Sequence, residues 1–442
     1  MRFSFQKTVS LTLVCLSFRC LPGQVAATAE NAPISLQEAI LRAQANEPSY
    51  ASAVAGSRTA NLDRSIAQSA LLPSIDFHNQ GLYTQPSLRA GQTSSQSSPR
   101  FIANNAVREY TSQGVVNETI GLNSIADLRR ANATALKAAA EQEIARRGLV
   151  VTVTELYFGV IGSDHRAAIA EQAHREAAEF LSLTEKREAG REAAHADVVK
   201  AQLEEQRSNR ELLNARLNSE KAHLELGILL FSDPRTPYTL VDTGNPAPLA
   251  SRADVEAKAS KNNPELKAAL AVMRACDADV LSARAAYLPS IGLNYIYGID
   301  APQFAVNGPD HTSNLGYSAS VTVDLPVWDW LATQHKIKQS EIRRDAVRVA
   351  MNATQSRLIA RLNESYSEAA AARDQLASLD ESVATAAESL RLTKLRYSEG
   401  EATVLEVVDA QTAFVSMENA REDGRARYQA ARADLQTLTG TM

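Results

Sequence analysis

The sequence predicts a mainly α-helical protein with a small β part: a long α-helical coiled-coil barrel plus a transmembrane β-barrel shared between chains, built from two internal repeats. Three observations predict it. From Met351 to Tyr397, small and apolar residues recur at alternating steps of three and four, as Met351, Leu358, Leu362, Ala369, Ala372, Leu376, Leu379, Val383, Ala386, Leu390 and Tyr397. That is the seven-residue period of a helix packed lengthwise against others. From Leu315 to Leu325 the period is two instead, with Leu315, Tyr317, Ala319, Val321 and Val323 alternating with Gly316, Ser318, Ser320 and Thr322. Lastly, Leu72-Pro73-Ser74-Ile75 returns as Leu288-Pro289-Ser290-Ile291 and Pro48 returns as Pro264, both at a spacing of 216 residues. Two matches at one offset mean a duplication.

The first repeat, 30–248, opens with a short helix started by Ser35 and Glu38 and stopped at Asn46-Glu47-Pro48. A second helix runs from about Tyr50 to Leu71 and breaks at Pro73. A β-hairpin over about 75–120 follows, its first strand poorly patterned and its loop, Gln85 to Pro99, rich in Gly, Ser, Pro and Gln. A long helix from about Ser124 to Glu188 carries the seam Val153, Leu156, Val160, Ala167, Ala170, Ala177 and Leu181. Some 65 residues at 1.5 Å each reach roughly 95–100 Å, more than a compact domain of this size uses. After a tip near Gly190, a return helix runs from about Asp197 to Leu230, and Phe231 to Pro248 links the repeats. The second repeat, 249–442, has the same grammar: paired helices around Asn263-Pro264, a hairpin over about 290–326, a long helix, a tip near 400 and a return helix. At that tip Gly400 can take the left-handed conformation that ends a helix, and Thr403 with Glu406 reads as the capping box of the next.

Composition narrows the function classes. The chain is 45% hydrophobic and 22% charged, so it can bury a core, and at 5% aromatic it suits long helices in which small residues let backbones approach. No basic stripe with interleaved aromatics points to nucleic acid. Residues 1–29 read as a signal peptide: Arg2 and Lys7 precede the apolar run Val9–Phe18, and Ala27-Thr28-Ala29 forms the cleavage site. Cys15 and Cys20 leave with it, and Cys276 remains as a small core residue rather than a reactive thiol. Seven dispersed histidines, with no His-Glu-x-x-His, no cysteine pair and no Gly-x-Ser-x-Gly, give no catalytic, cofactor or metal site, so an enzyme is not expected.

The strands decide the class. Strands of about ten residues match the span of an outer-membrane β-strand, yet four cannot close a barrel, and open edges are not tolerated in lipid. The barrel must therefore be shared between copies, with Leu315, Tyr317, Val321 and Val323 toward lipid or a neighbouring strand and Ser318, Ser320 and Thr322 toward the lumen. The competing reading, a periplasmic structural coiled-coil protein, needs neither paired hairpins nor a signal segment.

Several stretches resemble the TolC-like outer membrane factors, the trimeric channel-tunnels of efflux pumps and type I secretion systems. They are Leu395-Arg396-Tyr397-Ser398-Glu399-Gly400, Val404-Leu405-Glu406-Val407-Val408-Asp409-Ala410-Gln411, Val323-Asp324-Leu325-Pro326-Val327-Trp328-Asp329 and the two Leu-Pro-Ser-Ile motifs. The resemblance covers about Ile34 to Gly440. It implies a homotrimer with a twelve-stranded barrel in outer-membrane lipid and a periplasmic tunnel, engaged by a membrane fusion (adaptor) protein and an inner-membrane transporter. It implies an exit duct for small molecules, or alternatively for a type I-secreted protein.

The resemblance also implies roles for particular residues. Gly190, Arg396, Ser398, Glu399 and Gly400 fall at the tips where an adaptor docks. Glu406 and Asp409 match acids lining the constricted periplasmic entrance, although Glu406 can equally close the capping box. Tyr397 falls where a tyrosine bonds an acid on the other hairpin, for which Asp197 is the counterpart. Ala402 stands where the family has a linking arginine, a role open to Arg191 or Arg396. The first tip departs from the second by one more residue between glycine and acid.

Overall fold

The computed structural model describes residues 33–83, 86–87, 98–99, 108–242, 244, 248–308 and 312–440. The expected signal segment and most of the Gln85–Pro99 loop lie outside them.

Local sequence sets the element boundaries. Helix α1 (Leu36–Asn46) starts where the Ser35 hydroxyl accepts the Glu38 N–H at 3.3 Å, and α2 (Pro48–Ser69) begins on a proline at its first turn. Helices α5 (Arg252–Asn262) and α6 (Pro264–Ala285) repeat these starts with Ser251 and Asn263 as caps. The lengths repeat too: 11 and 22 residues in both halves, with the 216-residue spacing kept at every boundary. Long helices α3 (Leu122–Ala189) and α7 (Ala332–Ser398) have 68 and 67 residues, and return helices α4 (His195–Leu230) and α8 (Val404–Thr439) have 36 each. Each long helix is therefore about 100 Å long.

The seam residues that predicted α7 are its buried face. Leu358, Leu362, Ala369, Ala372, Leu376, Val383, Leu390 and Tyr397 are buried, and Met351, Leu379 and Ala386 are half-buried. Within the chain α3 packs on α4, α6 and α8, and α7 packs on α6 and α8.

Four strands, β1 (Ser74–Tyr83), β4 (Arg108–Ile120), β5 (Ser290–Ala301) and β6 (Leu315–Asp324), make one antiparallel sheet in the order β1-β4-β5-β6. The short pair β2 (Pro86–Ser87) and β3 (Ser98–Pro99) extends the first hairpin. Register puts like with like: Tyr295 faces Ala319 and Val116, Leu293 faces Val321, Tyr297 faces Tyr317, and Ile75 faces Val116. One face is thus mainly apolar across all four strands, interrupted by Asn79, Ser112 and Glu118, and it includes poorly patterned β1, where Ile75 and Phe77 lie exposed. Asn117, Asn294 and Ser320 share the other face. Among the described residues, the outer edges of β1 and β6 pair with nothing.

The two repeats join sheet to helix differently. Gly121 alone connects β4 to α3, whereas residues 325–331 connect β6 to α7. The longer connection ends with Trp330 and Leu331 in the left-handed region (φ 56° and 66°), and the Asp329 carboxylate accepts the Thr333 N–H at 2.7 Å. Trp328 and Trp330 stand exposed, ring on edge, 5.8 Å apart.

Midway along α3, three groups fasten the layers. Tyr157, 0% exposed, donates to the Val241 carbonyl at 2.7 Å and lies 3.0 Å from that of Ile34, holding the inter-repeat segment where Leu240 bridges Ile34. Arg147 donates to Thr437 and Asn262 carbonyls near the ends of α8 and α5, where helix dipoles leave negative charge. Asp164, His165 and Arg166 then fan out from one turn. Asp164 meets Ser219 and His223 of α4, and Arg166 meets Asp423 of α8. His165 meets Glu422 of α8 at 2.7 Å and Asp242 at 3.4 Å. Arg421 and Arg425 also face Glu422, which is 3% exposed.

The hydrogen bond to Glu422 raises the His165 pKa above its ordinary 6.5, with burial opposing and the Glu422 and Asp242 charges adding. Protonated His165 therefore stabilises the fold fully below about pH 6.5 and progressively less as pH rises through the raised value. The melting temperature is expected to fall, as pH rises above about 6.5, more steeply in the wild type than in His165→Gln; parallel curves would remove His165 from this account. Tyr157→Phe should cost about 1–3 kcal/mol in unfolding free energy, because it strips a donor from buried carbonyls.

Candidate functional site: the two helical tips

The second tip is built as its sequence asks. Gly400 takes φ +81°, and the Glu401 N–H reaches back to the Arg396 carbonyl at 2.8 Å, closing the last turn of α7. Thr403 and Glu406 form a reciprocal capping box for α8. Its apolar positions Val404 and Val407 point inward, leaving Glu406 and Asp409 exposed on the helix's other face.

The first tip uses the same turn with different residues. Gly190 is right-handed (φ −75°), and Arg191 takes the left-handed position at φ +60°. The Glu192 N–H bonds the Arg187 carbonyl at 2.8 Å, as Glu401 bonds Arg396. The tips thus superimpose at a spacing of 209 residues, which pairs Arg191 with Gly400, Ala194 with Thr403 and Asp197 with Glu406. The extra residue expected between glycine and acid is accounted for by a glycine sitting one position early, in a loop of equal length. Ala194 supplies no side-chain cap. Because a left-handed non-glycine residue costs roughly 1–2 kcal/mol, Arg191→Gly should stabilise the protein by about 1 kcal/mol in denaturant unfolding.

Between the tips the decisive side chain is Arg187, which the sequence reading did not single out. Its Nη1 donates to the Tyr397 carbonyl at 2.7 Å, and its guanidinium lies 4.8 Å from the Tyr397 ring centre. Tyr397 is 6% exposed; its hydroxyl lies 3.3 Å from the buried Thr184 hydroxyl, and its ring meets Phe180 at 5.1 Å. The Tyr397–Asp197 bond implied by the resemblance is not formed within the chain, where Asp197 lies 3.7 Å from Lys200. Neither Arg191 nor Arg396 takes the linking role: Arg396 turns back onto its own hairpin, to the Glu401 carbonyl at 3.1 Å and Glu406 at 3.6 Å. Ala402 packs beside the apolar cluster of Phe180, Ala201, Tyr397, Val404 and Val407. Ser398 bonds the Leu395 carbonyl, and Glu399 is exposed. Farther up, Lys394 of α7 pairs with Glu176 of α3 at 2.6 Å. Aligning the acids Asp197 and Glu406, rather than the two glycines, is the signal that sets Arg187 opposite Arg396.

Among the described residues no group of three or more histidine, cysteine, aspartate or glutamate side chains could hold a metal, and no helix is long and apolar enough to cross a membrane.

Long helical hairpins below a four-stranded sheet with open edges define an outer-membrane channel fold, and comparison with solved structures agrees. The chain superimposes on the outer membrane protein VceC of Vibrio cholerae with a TM-score of 0.75 at 17% identity, over 92% of this chain and 96% of that one. Residues 256–441, nearly the whole second repeat, match the outer membrane efflux protein family. It is 28% identical over 308 residues to the outer membrane protein OprJ of Pseudomonas aeruginosa, covering 66% of this chain and 61% of OprJ. It is also 28% identical over 255 residues to the protein CyaE of Bordetella pertussis, covering 52% of each. The match therefore spans less than two thirds of these relatives' own lengths.

Proposed function

We propose that the protein is an outer-membrane channel, the exit duct of a tripartite efflux pump, working passively as a homotrimer with a periplasmic adaptor and an inner-membrane transporter. It is not an enzyme. The observation that carries this reading is the sheet: one mainly apolar face, one mainly polar face, and two outer edges, β1 and β6, unpaired among the described residues, that further copies would satisfy in lipid. Three copies of four strands give a barrel whose lumen continues into helices about 100 Å long. Cargo selection then belongs to the inner-membrane partner. Similarity to a proteases secretion protein, PrtF of Dickeya chrysanthemi (26% identical over 206 residues), keeps protein export as the second reading.

Membrane fractionation tests the first claim: a heat-modifiable trimer in the outer-membrane fraction supports the channel, and a monomeric mass in detergent sinks it. Deleting the gene should sensitise cells to small toxic compounds without blocking protein secretion; the reverse pattern selects the second reading.

The tips are the gate and the docking site in this proposal. Glu406 and Asp409 from three copies place six carboxylates around one axis, favouring cations at the entrance. Arg187, by gripping Tyr397, is the lock within each copy, and Asp197 flanks it on the first hairpin. In planar bilayers Arg187→Ala should raise resting conductance more than Tyr397→Phe, since the latter keeps the carbonyl that Arg187 binds. Glu406→Ala with Asp409→Ala should weaken cation preference and block by multivalent cations; unchanged selectivity leaves Glu406 as a cap alone. The tip residues Gly190, Arg396, Ser398, Glu399 and Gly400 form the adaptor's docking surface. A bulky residue at Gly400 should abolish export with trimer level intact.

A further inference from the structure

The register of the sheet sorts its charges. Strands β1, β4, β5 and β6 hold a single lysine or arginine, Arg108, against five carboxylates. Pairing puts Asp76, Glu109, Asp300 and Asp324 on the face of Asn117, Asn294 and Ser320, and leaves Arg108 and Glu118 on the mainly apolar face. Those two stand at its opposite ends. Arg108 opens β4 at the loop end of the sheet, directly across from Tyr83, whereas Glu118 lies near the end that runs into α3. Ten residues separate them on β4. At about 3.3 Å per residue and a tilt of about 40°, that is about 25 Å of height, the apolar band of an outer-membrane barrel. Within the band the polar pair satisfies itself, since the Ser112 hydroxyl donates to Asn79 Oδ1 at 2.8 Å.

With the helices in the periplasm, the loop end of the sheet is the outer one, so the lone guanidinium stands at the outer leaflet. A cation is costly at the middle of a bilayer and tolerated at its interface, which explains why Arg108 is allowed there. Its neighbours say what it does. Among the described residues no acid pairs with it, and its guanidinium lies 5.8 Å from the Tyr83 ring centre. Tyr110, next to it on the same face, leans over Gly81, where a Cβ would sit 3.9 Å from Tyr110 Cδ1. Two phenols thus flank one uncompensated fork of N–H donors. Such a set suits a phosphate: a guanidinium grips two of its oxygens side by side, and interfacial tyrosine hydroxyls donate to the others.

We infer that Arg108, with Tyr83 and Tyr110, binds a phosphate of the outer-leaflet glycolipid against the outside of the barrel. This rests on the outer-membrane reading above, which supplies the sidedness. The other end of the same face has the opposite sign: Glu118 Oε2 is shielded from water and has no hydrogen-bond partner among the described residues. A phosphate is repelled there, so the site is confined to the loop end.

The test uses the full protein in detergent, read by native mass spectrometry and by melting temperature. The probes are phosphorylated lipid A, the same glycolipid without its phosphates, phosphatidylglycerol and inorganic phosphate. Phosphorylated lipid A should bind the wild type and raise its melting temperature. Arg108→Gln should weaken that binding about tenfold, Arg108→Lys less, and Glu118→Gln not at all. Lipid A held equally by Arg108→Gln, or bound equally without its phosphates, overturns the site. Phosphatidylglycerol binding as tightly overturns the glycolipid as occupant, and displacement of lipid A by inorganic phosphate marks a free-anion site instead. If Arg108→Gln does not assemble, Tyr83→Leu with Tyr110→Leu must show the same loss, and unchanged binding in that variant counts against the site. All these outcomes leave the channel reading standing. A wild type that is monomeric, or absent from the outer-membrane fraction, overturns that reading and the site with it.

Discussion

Backbone N–H and C=O groups at a sheet edge have no solvent to bond in hydrocarbon, and this constraint shapes the rest of the molecule. Among the described residues, the main sheet has four strands and both its outer edges are open. Every large-scale feature is consistent with handing those edges to copies of itself: an apolar face shared by all four strands, repeats that each supply one hairpin, and helices whose length exceeds what one chain can cover. In the proposed trimer the isolated chain is one third of a surface.

Duplication supplies the geometry and divergence supplies the chemistry. The short helices kept their lengths through the repeat, and the turn at each tip kept its hydrogen bonds. Side chains at equivalent places drifted with their surroundings. Tyr157, which clamps the inter-repeat segment, corresponds at the 209-residue spacing to Tyr366, which instead lies under Arg252 at 5.9 Å. Gly400 corresponds to Arg191, whose strained backbone is held by the same turn.

Much of this was legible in the sequence because period is a strong signal over long elements. The heptad of α7 fixed its buried face, and alternation fixed β5 and β6. What escaped depended on contacts between residues far apart in the chain. β1 read poorly because Asn79 and Gly81 interrupt its apolar row, and only its register with β4 shows that Ile75 and Phe77 belong to the shared face. Arg187 looked like any basic residue in a last helical turn until α7 placed Tyr397 beneath it. Arg147 likewise gave no sign of binding two helix ends, since those ends come from Asn262 and Thr437. The hydroxyl that Tyr397 meets within the chain was equally unreadable: the resemblance offered Asp197, whereas packing set Thr184 within 3.3 Å.

The unequal junctions between sheet and helix have a mechanical consequence. Where Gly121 alone joins β4 to α3, the helix has no slack, and torque at the first tip passes straight into the sheet. Where residues 325–331 intervene, with Pro326, two left-handed residues and a cap at Asp329, the second helix hangs on a compliant pivot. A ring of such hairpins alternates struts with levers. In the proposed trimer the second hairpins are the members freer to swing and the first are those held by the sheet.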